Sequence, residues 1–219
     1  MEIDIHCHQR ASNAGIQLLN LDARAEVNFD EVQGYCTMGI HPWDLDYLNL
    51  AEALQKLEYT CRYPWLLALG ECGLDKTIAT PLPLQIEVFS AQIALAKRHH
   101  KPLIVHCVRA YNELLSVKKH LAGKQIWILH GFNAHPTMAE QCLKAGCHLS
   151  FGHALLRDTG KARTSLLQTP IERLFLETDA CSDITIGEIY VAAAKILDLD
   201  LHCLQRQIVA NFHRVFTHD

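Results

Sequence analysis

Six side chains that can bind metal ions follow short apolar runs at five places in the sequence. Imidazole and carboxylate groups together suit zinc, manganese or iron, and magnesium accepts carboxylate-rich positions. The six residues are His6, His8, Glu71, His106, His130 and Asp179. A lone histidine among apolar neighbours is usually a hydrogen-bonded core residue, but five charged or polar strand ends are costly to bury without a partner. We therefore predict that the six residues form one metal site.

Strand periodicity predicts that these side chains point inward. Successive side chains of a strand alternate between two faces, so His6 and His8 share one face while Ile5 takes the other. Glu177 shares the face of Asp179 and is expected to lie deeper, as a structural partner. Every candidate lies at the C-terminal end of its run, which is where barrel enzymes carry their chemistry.

The elements that must position these residues are eight nearly continuous apolar runs. Such runs predict strands covered on both faces, as in parallel sheets. The predicted strands are 2–6, 16–22, 35–40, 65–71, 102–107, 125–131, 147–152 and 173–179. Helices are predicted over 45–62, 83–100, 110–122, 136–145, 161–168 and 187–216, the last broken near Leu199 and Asp200. The alternation predicts an α/β chain with a (β/α)8 TIM-like barrel.

The first two connections are short for this fold. Only residues 7–15 and 23–34 separate the first three predicted strands, whereas a parallel crossover normally needs about a dozen residues or more. We therefore expect the first two helices to be shortened or missing. A bare stretch of barrel wall would then suit cover by a second subunit, so a monomer and a homodimer both stay open.

Length and composition limit the number of domains and the possible classes of protein. The 219 residues suit a single domain over 1–219. A net charge of −4 excludes a strongly basic protein that holds nucleic acid by charge alone. The nine cysteines contain no Cys-x-x-Cys pair, which argues against a zinc ribbon and for reduced thiols in the cytoplasm. We expect no signal peptide and no membrane span.

Seven motifs occur in order along nearly the whole chain. They are Asp4-x-His6-x-His8, Gly39-Ile40-His41-Pro42, Gly70-Glu71-x-Gly73-Leu74-Asp75, His106 after its strand, His130-Gly131-Phe132, Glu177-Thr178-Asp179-Ala180 and Asn211-x-x-x-x-Phe216. Their order resembles the TatD-like metal-dependent hydrolases, a family of DNases among the amidohydrolase-like barrels. The resemblance implies two divalent cations, of magnesium, manganese or zinc. It also implies which residues hold them: His6, His8 and Asp179 one, His106 and His130 the other, with Glu71 bridging.

The implied activity is phosphodiester hydrolysis, as in a TatD-type deoxyribonuclease. Two cations roughly 3.5–4 Å apart can activate a water molecule and stabilise the attacking and leaving oxygens. Asp179 and Glu71 are the predicted catalytic residues, and Asp179 is the best candidate to accept the proton of the water. The expected substrate is DNA or another phosphodiester.

Three further residues are predicted to bind substrate. His41 matches the histidine of the Gly-x-His-Pro motif and is expected to contact a phosphate, unless it is a loop residue held by its proline. Arg109 offers a guanidinium fork to phosphate, or it pairs with Glu113 one turn on. Asp75 either supports a ligand histidine by a hydrogen bond or caps the segment that follows it.

The sequence departs from the family pattern beside three of the ligands. Val108 stands where the family usually has arginine, Asn133 and Ala134 follow Phe132 in place of Ser-Gly, and residues 181–183 replace the usual proline. The ligand set is intact, but the substrate pocket does not carry over.

Two other functions remain open from the sequence. An amidohydrolase acting on an amide, lactone or other phosphoester would use the same barrel, but it often bridges its metals with a modified lysine from the fourth strand. Here that strand supplies Glu71, and Lys76 lies beyond it. A non-catalytic metal-binding module would be expected to have lost ligands, and none is lost.

Overall fold

The computed structural model describes residues 1–12 and 15–217. Eight strands form one sheet whose order follows the chain from β1 to β8. The strands are β1 Ile3–Cys7, β2 Ile16–Asp22, β3 Cys36–Gly39, β4 Leu66–Asp75, β5 Leu103–Val108, β6 Trp127–Leu129, β7 His148–Phe151 and β8 Leu174–Leu176. The pairs β1–β2, β3–β4, β4–β5, β6–β7 and β7–β8 are parallel. This arrangement confirms the predicted (β/α)8 class.

Helices alternate with the strands from β3 onward. They are α1 Leu50–Thr60, α2 Leu82–Arg98, α3 Tyr111–Val117, α4 Pro136–Lys144, α5 Lys161–Gln168, α6 Ile186–Leu197 and α7 Leu201–Phe216. The predicted break in the last helical segment is confirmed. Asp198 adopts a left-handed conformation after α6, and the carboxylate of Asp200 caps α7 by accepting a hydrogen bond from the N–H of Cys203 at 3.0 Å. Within the described residues, no helix is long and apolar enough to cross a bilayer.

The two front helices are missing or reduced, as predicted. A single 3-10 turn over Phe29–Glu31 lies between β2 and β3. The described residues between β1 and β2 contain no helix. The chain therefore reaches its third strand with almost no helical cover from its first 35 residues.

The chain divides into two compact units. The first contains residues 1–19 and 128–219, and the second contains residues 20–127. The core of the first unit includes Ile5, Phe175 and Phe212, each at most 1% exposed, and that of the second includes Phe89 and Trp127, whose rings lie 5.1 Å apart. The single domain over 1–219 stays a prediction.

Strand β4 is longer than predicted and passes very close to β5. It continues beyond residue 71 to Asp75. Gly73 has φ +148°, and a Cβ there would lie 2.0 Å from the carbonyl oxygen of His106, so only glycine fits. The pairing of β4 with β5 also shifts register between Leu69 and Cys72. Strict alternation therefore does not set the direction of the Glu71 side chain, because an irregularity can re-aim a residue.

Candidate metal centre

In the first unit, the end of β1 lies beside the segment that follows β8. The N–H of Asp179 donates to the carbonyl oxygen of His6 at 2.9 Å, and the N–H of His8 donates to the carbonyl oxygen of Asp179 at 3.1 Å. These two backbone bonds bring the three side chains together. The Nε2 atoms of His6 and His8 lie 3.5 Å and 3.4 Å from the same carboxylate oxygen of Asp179.

The surroundings of Asp179 favour the ionised form of its carboxylate. Burial alone would raise its pKa, but hydrogen bonds with His6 and His8 outweigh that effect and hold the pKa far below its usual range. Its backbone adopts a left-handed conformation with φ +56°, which aspartate tolerates better than most residues. An ionised carboxylate between two imidazoles is a suitable ligand for a divalent cation.

His130 completes the group in the first unit. Its ring centroid lies 4.5 Å from that of His6, and its Nδ1 lies 3.3 Å from Oε1 of Glu177. That carboxylate is fully buried. Its Oε1 accepts from the N–H of Gly131 at 2.5 Å, and its Oε2 accepts from the hydroxyl of Ser150. A carboxylate at Nδ1 favours the tautomer that presents Nε2 to a cation.

One nitrogen or oxygen atom from each of His6, His130 and Asp179 lies within 4.8 Å of the other two. Ligands at 2.0–2.2 Å from a cation such as zinc are separated by roughly 3–4.4 Å. The donor chemistry and the spacing in the first unit therefore both fit a single divalent cation, and His8 is placed to add a further ligand. We call these four residues the first cluster.

Asp4 supports the first cluster through hydrogen bonds to His6 and to Thr178, the residue before Asp179. Its carboxylate accepts hydrogen bonds from the N–H and hydroxyl of Thr178, at 3.1 and 2.6 Å, and from the N–H of His6 at 3.4 Å. Burial raises the pKa of Asp4 to about 6. Strand alternation puts Asp4 on the same face as His6 and His8, and so predicted its inward position.

In the second unit, His41, Glu71 and His106 form a second cluster. Oε1 of Glu71 lies 2.8 Å from Nδ1 of His106 and 3.1 Å from Nε2 of His41. The two imidazole rings are 4.5 Å apart, and one ligand atom from each of the three residues lies within 4.8 Å of the others. The structure therefore places His41 among groups that could hold a metal, and its contact with phosphate stays a prediction.

Asp75 meets both of the alternatives predicted for it. Its Oδ2 lies 3.4 Å from Nε2 of His106 and accepts from the indole N–H of Trp43 at 2.8 Å. Its Oδ1 caps the next segment by accepting from the N–H and the hydroxyl of Thr77, at 2.8 and 2.5 Å. Although burial opposes them, these hydrogen bonds lower the pKa of Asp75. Asp75 therefore supports a histidine of the second cluster, and its contact with substrate stays a prediction.

Asn20 is a supporting residue that the sequence reasoning missed. Its Oδ1 accepts from the backbone N–H of Glu71 at 2.9 Å and from the hydroxyl of Thr37 at 3.0 Å. It thereby fixes the backbone at the irregular part of β4. No motif or periodicity marks Asn20, because its role depends on three strands that are distant in sequence.

Arg109 lies directly after β5, with φ +53°. Glu113, the alternative partner predicted for it, pairs instead with Nζ of Lys76 at 2.8 Å. Across residues 1–12 and 15–217, Arg109 makes no ion pair. Phosphate binding by Arg109 stays a prediction.

Comparison with known proteins places the chain in a family. The model of the family described as TatD related DNase matches residues 20–217. A curated relative from Musicola paradisiaca, the 3'-5' ssDNA/RNA exonuclease TatD, is 34% identical over 154 residues, which cover 67% of this chain and 58% of that protein. The human 3'-5' RNA nuclease TATDN2 is 34% identical over 148 residues, which cover 65% of this chain and 19% of that protein. The chain thus spans less than two thirds of either relative.

A solved structure is similar over the entire chain. The crystal structure of YJJV, a TatD homologue from Escherichia coli, superposes with a TM-score of 0.88 and covers 100% of this chain and 98% of that one. Sequence identity in this superposition is 20%, so the likeness shows a shared fold.

Proposed function

We propose that this chain, which belongs to the family of TatD related DNases, hydrolyses phosphodiester bonds in single-stranded DNA or RNA with bound divalent cations. The observation that carries the proposal is the pair of histidine–carboxylate clusters. Each joins strand ends that are distant in sequence and holds its ligand atoms within 4.8 Å of one another. The curated relatives named as ssDNA/RNA and RNA nucleases support this substrate class.

The donor set of each cluster fits a divalent cation. Imidazole with carboxylate suits zinc and manganese well, and magnesium is accepted where carboxylates dominate. We propose one cation at the first cluster, held by His6, His8, His130 and Asp179, and one at the second, held by His41, Glu71 and His106. The family resemblance instead pairs His130 with His106 and makes Glu71 a bridge, and that assignment stays a prediction.

When bound, the cations supply charge that activates water and stabilises the oxygens of the phosphodiester. Residues of the chain supply the proton acceptor and the hydrogen bonds that orient the histidines. Asp179 is ionised because its pKa is held low. It is therefore a weak base, and we propose that it accepts the proton of a water whose own pKa a bound cation would lower. Glu177 holds the ring of His130, and Asp75 holds that of His106. This support fixes the directions in which the histidine nitrogens point.

The charge balance of the chain supports a requirement for bound cations in the proposed activity. With 20 basic and 24 acidic residues, the chain has no general excess of positive charge to attract a phosphate backbone. Bound cations then become the main local source of positive charge for the substrate. We also propose a cytoplasmic setting, because an odd number of cysteines with scattered spacing suits reduced thiols better than a disulfide framework.

A substrate panel tests the proposed activity. Metal-free protein is supplied with Mg²⁺, Mn²⁺ or Zn²⁺ and offered single-stranded DNA, single-stranded RNA, a lactone and a dipeptide. We expect cleavage of the nucleic acids only, and only with added metal. Metal-dependent cleavage of the lactone or dipeptide alone would assign the chain to the amidohydrolase type, and metal binding without any cleavage would indicate a non-catalytic module.

A further inference from the structure

A cavity of about 300 Å³ lies in the first unit, directly beside His8 and Asp179. Its walls come from residues 9–11, Gln17 of β2, and residues around the start of α6. Ligand-binding cavities in proteins begin at about this size. A group held here would lie next to any phosphodiester bound at the first cluster.

Gln17 presents an unused amide to this cavity. The residue is only 7% exposed. Its backbone carbonyl oxygen accepts a hydrogen bond from the guanidinium of Arg10 at 3.1 Å. Its side-chain amide makes no hydrogen bond to any of the described residues. The amide opens onto the cavity rather than being sealed in the core, so a ligand there can reach both its N–H and its oxygen. A ligand that offers both a donor and an acceptor would therefore bind well.

The walls around this amide are largely apolar. Ala11, Ala180, Ile184 and Ile186 line the cavity, and Ile186 is 5% exposed. Apolar side chains of this kind suit the face of a flat ring. The cavity therefore combines one hydrogen-bonding edge with apolar walls.

The charges around the cavity disfavour a second phosphate. The carboxylates of Asp4 and Asp179 both line it. The N-terminus of α6 is already closed by a capping box, in which Thr185 accepts from the N–H of Glu188 at 3.3 Å and the Glu188 carboxylate accepts from the N–H of Thr185 at 2.8 Å. The cavity wall carries the two carboxylates of Asp4 and Asp179 and one guanidinium, that of Arg10, so an additional anion is disfavoured and a neutral ligand is favoured.

We propose that this cavity binds the nucleobase next to the scissile phosphodiester. The Gln17 amide bonds the edge of the base, and Ile184 and Ile186 contact its face. Proteins that recognise unpaired bases use this combination of edge hydrogen bonds and flat apolar contacts. The inference rests on the proposed function, because the phosphodiester at the first cluster is what brings a base to the cavity.

Two tetranucleotides test the base subsite: one of thymidine, and one in which abasic tetrahydrofuran residues replace the nucleosides. Wild-type protein with Mn²⁺ is expected to cleave the thymidine tetramer with kcat/KM about tenfold higher than the abasic one. Gln17→Leu should remove most of that preference, mainly through KM. Gln168→Leu, an exposed glutamine of the same unit, is the matched control and should keep the preference.

A second variant tests the same subsite if Gln17→Leu does not fold. Ser182 is exposed at the edge of the cavity, so Ser182→Trp should fold and fill the space, again removing the preference for bases. Equal cleavage of both tetramers by wild-type protein would overturn the base subsite and leave the proposed function standing.

Nucleoside binding to metal-free protein, followed by ligand-observed NMR, separates the two claims. Binding that Gln17→Leu and Ser182→Trp abolish, in a wild-type protein that cleaves no phosphodiester, would support the subsite and refute the proposed function. Absence of both binding and cleavage in the wild type would refute both.

Discussion

At the scale of single residues, buried carboxylates set the ring orientation and the tautomer of the histidines. Glu177 is fully buried, and both of its oxygens are engaged: Oε1 faces His130 and Gly131, and Oε2 faces Ser150. A buried carboxylate is costly unless it is hydrogen-bonded in this way. Burial of a carboxylate between His130, Gly131 and Ser150 is explained if it orients the His130 ring for a cation.

Glu177→Gln should therefore weaken metal binding while leaving every proposed ligand in place. The amide can set an N–H donor against the N–H of Gly131 or the hydroxyl of Ser150, and it no longer favours the required His130 tautomer. We expect the dissociation constant for Mn²⁺ or Zn²⁺ at the first cluster to rise by about 10–100-fold, as measured by calorimetry with a competing chelator. Glu140→Gln, which removes only a surface pair with Lys144, is the control. Equal affinity in both variants would contradict this role.

At the scale of the elements, the approach of β4 to β5 places the second cluster. Gly73 lies opposite His106 in the register of these strands. Because no Cβ intervenes, the backbone of β4 can pass against the carbonyl oxygen of His106. Glu71 and Asp75, on either side of Gly73, then both reach the imidazole of His106.

Gly73→Ala should lower the free energy of unfolding by more than about 2 kcal/mol, because the new methyl group overlaps backbone that cannot move aside and φ is positive. The matched control is Gly187→Ala within α6, where the added Cβ meets only side-chain atoms of Glu2 at 3.4 Å. Alanine there should be neutral or stabilising by up to about 1 kcal/mol. Urea denaturation of the three proteins makes the comparison. A Gly73→Ala protein as stable as the wild type would show that the strands do not approach this closely.

Sequence periodicity predicted the elements well where burial on both faces dictates composition. The runs at 102–107 and 147–152 were within one or two residues of β5 and β7 because such strands are apolar throughout. The end of β4 was missed since Cys72-Gly73-Leu74-Asp75 has the composition of a turn. The role of Asn20 was missed because it depends on contacts between distant strands, which no local pattern records.

At the scale of the whole molecule, the grouping of the candidate metal-binding residues was more predictable than the substrate pocket. Metal ligation needs a few residue types at strand ends, and the structure groups each of the six predicted residues into a cluster within one unit or the other. The proposed base subsite depends on wall residues such as Gln17 and Ile184, whose types are unremarkable in the sequence. The segment 181–183, where the chain departs from the family pattern, borders the proposed base subsite.

The most direct measurement is the initial rate of cleavage of a single-stranded DNA oligonucleotide, with saturating Mn²⁺ in every sample except the chelator-treated one, which receives no metal. It compares wild-type protein, chelator-treated protein, Glu71→Ala and the surface control Glu113→Ala. We predict that chelation and Glu71→Ala each lower the rate by at least about 100-fold, since both remove the charge stabilisation that the metal supplies. Glu113→Ala should match the wild type. Undiminished, metal-dependent cleavage by Glu71→Ala would contradict the account.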